Sequence, residues 1–261
     1  MIFVVRLSQK LTKMNLEFVL LLQLQRDLYD VPRGEERFQT YIQTITNADA
    51  SDIELPPLAA MNPMGKEHVP EMLDTLLALD ADEIASDVVT EVSQKLLNQP
   101  GEFKIGLVVA DDLLGGWTNR YTTEFNTRFN NQAILKRGWL SCTLWTSETP
   151  SVQIVREEVL TTVYRAAYIQ NHGFPKTLED MLNQEGYAMA MSDCTEPSLK
   201  ADDLVYTKEV ITPHLTTQEQ PIIIPCLFGD KAAESLGYKP QGLSERAGFA
   251  LALALHNRGM N

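Results

Sequence analysis

Acidic side chains follow three of the predicted strands. The three strands and the acids behind them are Phe103–Ala110 with Asp111 and Asp112, Trp139–Trp145 with Glu148, and Ile222–Phe228 with Asp230. In open parallel sheets, ligands bind in the crevice beyond the carboxyl ends of the strands. If the three strands are parallel, these four carboxylates lie along one edge of the sheet.

Two kinds of chemistry suit carboxylates at such an edge. Hard divalent cations prefer oxygen ligands, so Asp111, Asp112 and Asp230 are the predicted ligands of Mg²⁺ or Mn²⁺. A carboxylate can also serve as a general base, and Asp111, Asp112 and Glu148 are the predicted catalytic residues. With a metal ion, hydrolysis or phosphoryl transfer is the expected reaction class. The competing interpretation is that these acids only cap turns between strands and helices.

A glycine pair next to these acids predicts a binding site for an anion. Gly115 and Gly116 stand before a predicted helix at 116–129 and let the backbone approach a ligand closely. The start of a helix offers free N–H groups and the positive end of a dipole. Arg120, about one turn in, completes the predicted substrate site for a small anionic molecule. Arg120 can instead pair with Asp111 or Asp112.

Two further sets of residues give weaker signals. His68 and Glu71 are three apart on a predicted helix and can both reach one metal ion, but two ligands make only half a site. Glu158 and Arg165 lie two turns apart on another predicted helix and can line one face, a pattern that is usual on exposed helices.

The charge of the chain is strongly negative and uneven. The 261 residues include 35 acidic and 22 basic side chains, for a net charge of −13. Such a charge argues against binding to nucleic acid or to an anionic membrane surface. Most of the excess lies between Asp49 and Glu91, where Lys66 is the only basic residue. This segment is expected to be a solvated helix surface. Its alternative role is to dock a basic partner, in a non-catalytic binding or assembly protein.

The order of the predicted elements indicates the fold class. Residues 15–100 are predicted as a helical N-terminal part, and residues 101–261 as an α/β part in which strands alternate with helices. Such alternation favours a parallel or mixed sheet, here of four to six strands flanked by helices. The additional strands are expected at Tyr187–Met191, within Asp202–Thr212 and at Ile222–Phe228.

The remaining features concern the compartment. Three cysteines without a C-x-x-C motif indicate free thiols, and no apolar run approaches the roughly 20 residues of a membrane span. Residues 1–14 are expected to be a leader or a disordered start, with Met14 as an alternative initiation site. The expected location is the cytoplasm.

Overall fold

A three-stranded parallel sheet organises the fold. A computed structural model describes residues 14–114 and 119–259. Its strands are β1 (Asn15–Phe18), β2 (Glu102–Ala110) and β3 (Trp139–Trp145), in the order β1-β2-β3. Leu16 pairs with Phe103, and Ile105 with Leu140. The central strand β2 is buried from Ile105 to Ala110, which explains its run of apolar and β-branched residues.

Twelve helices are described around this sheet. Those before β3 are α1 (Leu22–Leu28), α2 (Glu35–Ile45), α3 (His68–Ala78), α4 (Ala81–Lys95), α5 (Arg120–Phe129) and α6 (Gln132–Lys136). Those after β3 are α7 (Val152–His172), α8 (Leu178–Met191), α9 (Ala201–Ile211), α10 (Gln220–Phe228), α11 (Asp230–Leu236) and α12 (Ala247–Gly259). Helix α7 packs on β3, α4 and α8, and α12 packs on α8, α9 and α10.

The buried apolar residues form two clusters. One surrounds the sheet and includes residues of α1 to α4 and α7. The other joins α5 and α8 to α10, α11 and α12. Helix α8 contributes residues to both clusters, and α5 contributes to the second. Both helices also carry buried charged side chains, as described below.

The prediction of an α/β fold with a parallel sheet and flanking helices is confirmed, but the predicted number of strands is wrong. Three strands are described instead of four to six. The segments expected as additional strands lie in α8, α9 and α10. Ile222–Phe228 is apolar on all sides, and a short buried run of this kind shows no period that separates strand from helix. Pro221 occupies the first turn of α10, where its missing N–H costs nothing.

The N-terminal part is mixed rather than purely helical. Its first residues were expected in a helix but form β1, which pairs with β2 across the predicted boundary at residue 101. The division into two domains stays a prediction.

Residues 1–13 of the predicted leader lie outside the described residues, whereas Met14 is fully buried in the core. In the described part of the chain, no helix is long and apolar enough to cross a membrane.

Two glycines allow the C-terminal helices to pack closely. Gly186 lies inside α8, and a Cβ atom there would lie 2.7 Å from the carbonyl oxygen of Ala252 in α12. A Cβ atom on Gly248 would lie 2.3 Å from the carbonyl oxygen of Cys226 in α10. Both contacts are with backbone, which a side-chain rotation cannot relieve.

We therefore expect Gly248→Ala to lower the free energy of unfolding by about 1–3 kcal/mol, because α10 and α12 must separate. Gly106→Ala is the comparison. Its Cβ atom would lie 2.4 Å from Leu21 Cδ1, at the flexible end of a side chain, so a smaller loss is expected. Urea unfolding measures both. Equal losses of stability in the two variants would contradict the claim that the backbone contact at Gly248 is the more costly one.

Candidate functional site

Asp111 is a buried acceptor at the carboxyl end of β2. Its Oδ1 lies 2.8 Å from His68 Nε2 and accepts hydrogen bonds from the N–H groups of Leu113 and Leu114 and from Thr146 Oγ1, while Oδ2 accepts from Asn62. Burial alone would raise the pKa of Asp111, but the hydrogen bonds from His68 and the two N–H groups outweigh it and hold the pKa below its ordinary value. This carboxylate joins α3 and its preceding loop to the sheet.

Arg120 joins the acids that follow β2 and β3. Its Nη1 donates to Asp112 Oδ2 at 3.2 Å and to Ser147 Oγ at 2.8 Å, and its Nη2 donates to Glu148 Oε1. Asn119 caps the start of α5 by accepting from the N–H of Tyr121, which fixes the first turn that carries Arg120. The predicted neighbours Asp112, Glu148 and Arg120 therefore lie together at the carboxyl edge of the sheet.

This arrangement gives the predicted metal site no support. The guanidinium of Arg120 lies between Asp112 and Glu148, and it supplies the positive charge that a divalent ion would otherwise bring. Among the described residues, no group of three or more His, Cys, Asp or Glu side chains is placed to hold a metal ion. His68 contacts Asp111 rather than forming a pair of ligands with Glu71.

The two other parts of the predicted site are Asp230 and the glycine pair at 115–116. Asp230 does not follow a strand, because the segment before it is α10. Its carboxylate accepts from the N–H groups of Gln241 and Gly242 and holds that loop on α11. The expectation that a strand places Asp230 beside Asp111 is wrong. Gly115 and Gly116 lie outside the described residues, so their predicted role in substrate binding stays a prediction.

A cleft opens beside the carboxyl end of β3. Its volume is about 340 Å³. Its charged lining consists of three arginines and five glutamates, namely Arg120, Arg128, Arg246, Glu124, Glu148, Glu157, Glu158 and Glu196. Its apolar lining includes Trp145, Ile154, Met189 and Phe249. The cleft lies near a strand end, where the sequence predicts a ligand site, and its lining includes Arg120 and Glu148 from that prediction.

Glu124 is the centre of the charged floor of this cleft. Its Oε1 accepts from Arg120 Nε at 2.7 Å and from Arg246 Nη2 at 2.6 Å, and its Oε2 lies 3.4 Å from Arg128 Nη2. Burial alone would raise the pKa of Glu124, but Arg246, Arg128 and Arg120 lower it to about 2. Three arginines from α5 and the start of α12 are thereby held around one buried carboxylate.

A second buried carboxylate lies behind the first. Glu185 of α8 accepts from Arg165 Nε at 2.6 Å and from Arg128 Nη1 at 2.5 Å. Its burial would raise the pKa, but Arg165 and Arg128 lower it to about 2. Because Arg128 contacts both Glu124 and Glu185, the network continues from the cleft into the interior and ties α5, α7 and α8 together.

Glu158 behaves in the opposite way. Burial raises its pKa and outweighs the attraction of Arg128 and Arg165. Its Oε1 accepts from the N–H of Thr143 on the open edge of β3 at 3.1 Å and from Thr162 Oγ1 at 3.3 Å. In the described structure no hydrogen bond is found for Oε2. A carboxyl group held in this way at a cleft can give up and take back a proton.

Sequence reasoning identified Arg120 but not the network around it. One signal was present, since Arg120, Glu124 and Arg128 recur at four-residue spacing, which places them on one face of α5. Glu158 and Arg165 do line one face of α7, but towards a buried cluster and not towards solvent. The contact between Arg246 and Glu124 joins positions 122 residues apart, and no local pattern predicts it.

The acidic segment 49–91 forms an outer surface. Ten of its eleven carboxylates belong to exposed residues, and Asp82 is the half-buried exception. Burial raises the pKa of Asp82 to about 6. Three of the exposed acids pair with arginines from other elements, namely Asp52 with Arg137, Asp74 with Arg26 and Glu91 with Arg156. The predicted docking of a basic partner to this surface stays a prediction.

Comparison with known proteins provides no further guide to the site. No protein-family model, no curated protein and no solved structure matches the chain.

The low pKa values of Glu124 and Glu185 predict how stability depends on pH. Both values fall from an ordinary 4.5 to about 2, so the stabilisation by these groups is fully present above pH 4.5 and is lost as the pH falls towards 2. In urea unfolding, Glu185→Gln should be strongly destabilised at neutral pH, and its difference from wild type should shrink across that window. The exposed Glu83→Gln on α4 is the control. A difference that does not change with pH would contradict the assignment.

Asp111→Asn separates the structural from the metal-binding interpretation of that carboxylate. In the variant, one carboxylate oxygen is replaced by an NH₂ group, which cannot accept the hydrogen bonds that Asp111 receives. We therefore expect the free energy of unfolding of the variant to fall by about 1–3 kcal/mol. Differential scanning calorimetry in Mg²⁺ and in chelator measures it. The same loss in both solutions is the expected result. A loss of stability seen only in Mg²⁺ would instead support a metal site at Asp111.

Proposed function

We propose that the chain binds a small organic molecule with an anionic group in the cleft at the carboxyl end of β3. The observation that carries this proposal is a cleft of about 340 Å³ whose floor is a buried, interlinked set of arginines and glutamates. Burying charges is costly unless they are paired, and charge networks of this kind are common at functional sites. The volume lies within the range of small-molecule pockets.

Arg246 is the proposed contact for the anionic group. Its guanidinium makes one hydrogen bond within the described structure, to Glu124, and its side chain is 27% exposed. Arg120, in contrast, donates to four side chains. The backbone of Arg246 has φ of 58°, a strained conformation for a residue with a side chain, and is held there by a hydrogen bond to Phe228 O. This conformation starts α12 and supports Arg246 at the cleft.

Glu158 is the group that we propose for proton transfer if the bound molecule reacts. It lines the same cleft, and its raised pKa suits a general acid or base. The metal-dependent hydrolysis or phosphoryl transfer expected from the sequence would need a carboxylate cluster that the described residues do not contain. The proposal is therefore limited to binding and to acid–base chemistry.

The test is a thermal-shift titration with acetate, glycine, glutamate and betaine. We expect at least one of these probes to raise the melting temperature of the wild type by a few degrees, as binding to the native state requires. In Arg246→Gln that rise should be lost.

The matched control is Arg156→Gln, because Arg156 is an α7 arginine that pairs with Glu91 and does not line the cleft. It should retain the rise. Two results would contradict the proposal, namely no stabilisation of the wild type by any probe, or the same rise in Arg246→Gln as in the wild type.

A further inference from the structure

A second, smaller cavity adjoins the cleft, and we propose that it receives the primary ammonium group of the cleft ligand. The inference rests on the proposed function and names the ligand class as a small molecule with both an amine and an anionic group. The cavity has a volume of about 30 Å³, which accommodates a group of the size of a water molecule or an ammonium group. It lies against the open edge of β3 and is lined by residues of α5, α7 and β3.

Oxygen atoms without partners concentrate around this cavity. Seven buried side-chain polar atoms of the described residues have no hydrogen-bond partner, and four of the seven belong to residues that line it. The four are Glu124 Oε2, Asn131 Oδ1, Ser141 Oγ and Thr143 Oγ1. Glu124 Oε2 is near Arg128 Nη2 at 3.4 Å but without hydrogen-bond geometry. Buried polar atoms are normally satisfied, so four in one place indicate a polar occupant.

The hydrogen-bonding capacity of these four atoms indicates which chemical group could fill the cavity. Carboxylate and amide oxygens only accept hydrogen bonds, and the two hydroxyl groups can accept as well. An ammonium group offers three N–H donors and no acceptor, so it complements the set. A carboxylate or phosphate group would instead meet Glu124 Oε2 and Asn131 Oδ1 with like partial charge. The two arginines of the lining, Arg128 and Arg165, are already paired with Glu185.

The charges of the surrounding network favour a cation in the same way. Four arginines share the network with five carboxyl groups, namely Arg120, Arg128, Arg165 and Arg246 with Asp112, Glu124, Glu148, Glu158 and Glu185. With Glu158 ionised, one carboxylate is in excess over the guanidinium groups. A bound ammonium group would balance that charge and favour the ionised form of Glu158.

The two cavities are adjacent and share lining residues. Glu124, Arg128, Thr143, Trp145 and Glu158 line both of them. A ligand with its ammonium group in the inner cavity would extend into the cleft, where Arg246 is placed to meet an anionic group. The inner cavity would thus select amines, and the outer cleft would bind the remainder of the ligand.

The experiment compares methylammonium with tetramethylammonium chloride at equal ionic strength in thermal-shift titrations. Methylammonium fits the inner cavity and has N–H donors, whereas tetramethylammonium has none and is too large. We expect methylammonium to raise the melting temperature of the wild type by a few degrees more than tetramethylammonium does.

Thr143→Val and Thr127→Val are the paired variants. Both remove a hydroxyl group from the lining and keep a β-branched side chain. Thr143 Oγ1 has no partner, whereas Thr127 Oγ1 donates to carbonyl groups of its own helix. The response to methylammonium should be at least halved in Thr143→Val and unchanged in Thr127→Val. Ser141→Ala provides a second removal of an unpaired oxygen and should behave as Thr143→Val does.

Three outcomes would overturn the inference. They are equal responses to the two cations, a methylammonium response that survives both Thr143→Val and Ser141→Ala, and no response in the wild type, which would mean that the cavity holds water only. None of these changes the Arg246-dependent response to carboxylates. A failure of this inference is therefore distinguishable from a failure of the proposed function.

Discussion

The buried carboxylate of Glu124 is the interaction on which the candidate site depends. It holds Arg120 and Arg128, from the first and last turns of α5, and Arg246, the residue before α12. A buried carboxylate needs such partners, because its charge would otherwise cost far more than the fold can offset. The arginines in turn orient Asp112, Glu148 and Glu185. One side chain thus connects the strand ends, the cleft and the interior.

The pairing with arginine changes the interpretation of the acids at the strand ends, which the sequence predicts as metal ligands. Carboxylates at the carboxyl edge of a parallel sheet suggest a metal site when only their types and positions are known. In the structure a guanidinium lies between Asp112 and Glu148, and Asp111 holds the loop before α3 to the sheet. Of the seven buried side-chain atoms without a hydrogen-bond partner in the described residues, four belong to residues that line the cavity beside β3, where Glu158 covers the open strand edge. The proposed site therefore lies beside β3 rather than at the tip of β2.

Local patterns predicted the parts of the fold that local interactions determine. The helix predicted at 116–129 is present in the described residues as α5, which ends at Phe129 as predicted. The apolar and β-branched run at 103–110 predicts β2, and the short apolar run at 139–145 predicts β3. Ile222–Phe228 was misjudged, because an element buried on all sides shows neither the period of a strand nor that of a helix.

The site was predicted less completely than the fold. The sequence places Asp112 near Glu148, since strand ends in a parallel sheet share one edge, and predicts Arg120 nearby, at the start of the next helix. It could not identify Arg246 or Glu185, because their partners lie far along the chain and are selected by the packing of α8 and α12. Gly186 shows the same limit, since only the packing of α12 against α8 explains a glycine inside that helix. Long-range packing, not local propensity, creates the charged floor.

A double-mutant cycle between Glu124 and Arg246 tests the central claim most directly. Glu124→Gln, Arg246→Gln and the double variant would be compared with the wild type by urea unfolding at neutral pH. If the carboxylate organises the arginines, the two substitutions should be coupled by more than about 1 kcal/mol, with the double variant less destabilised than the sum of the single ones. Additive effects, with a coupling energy near zero, would contradict the account.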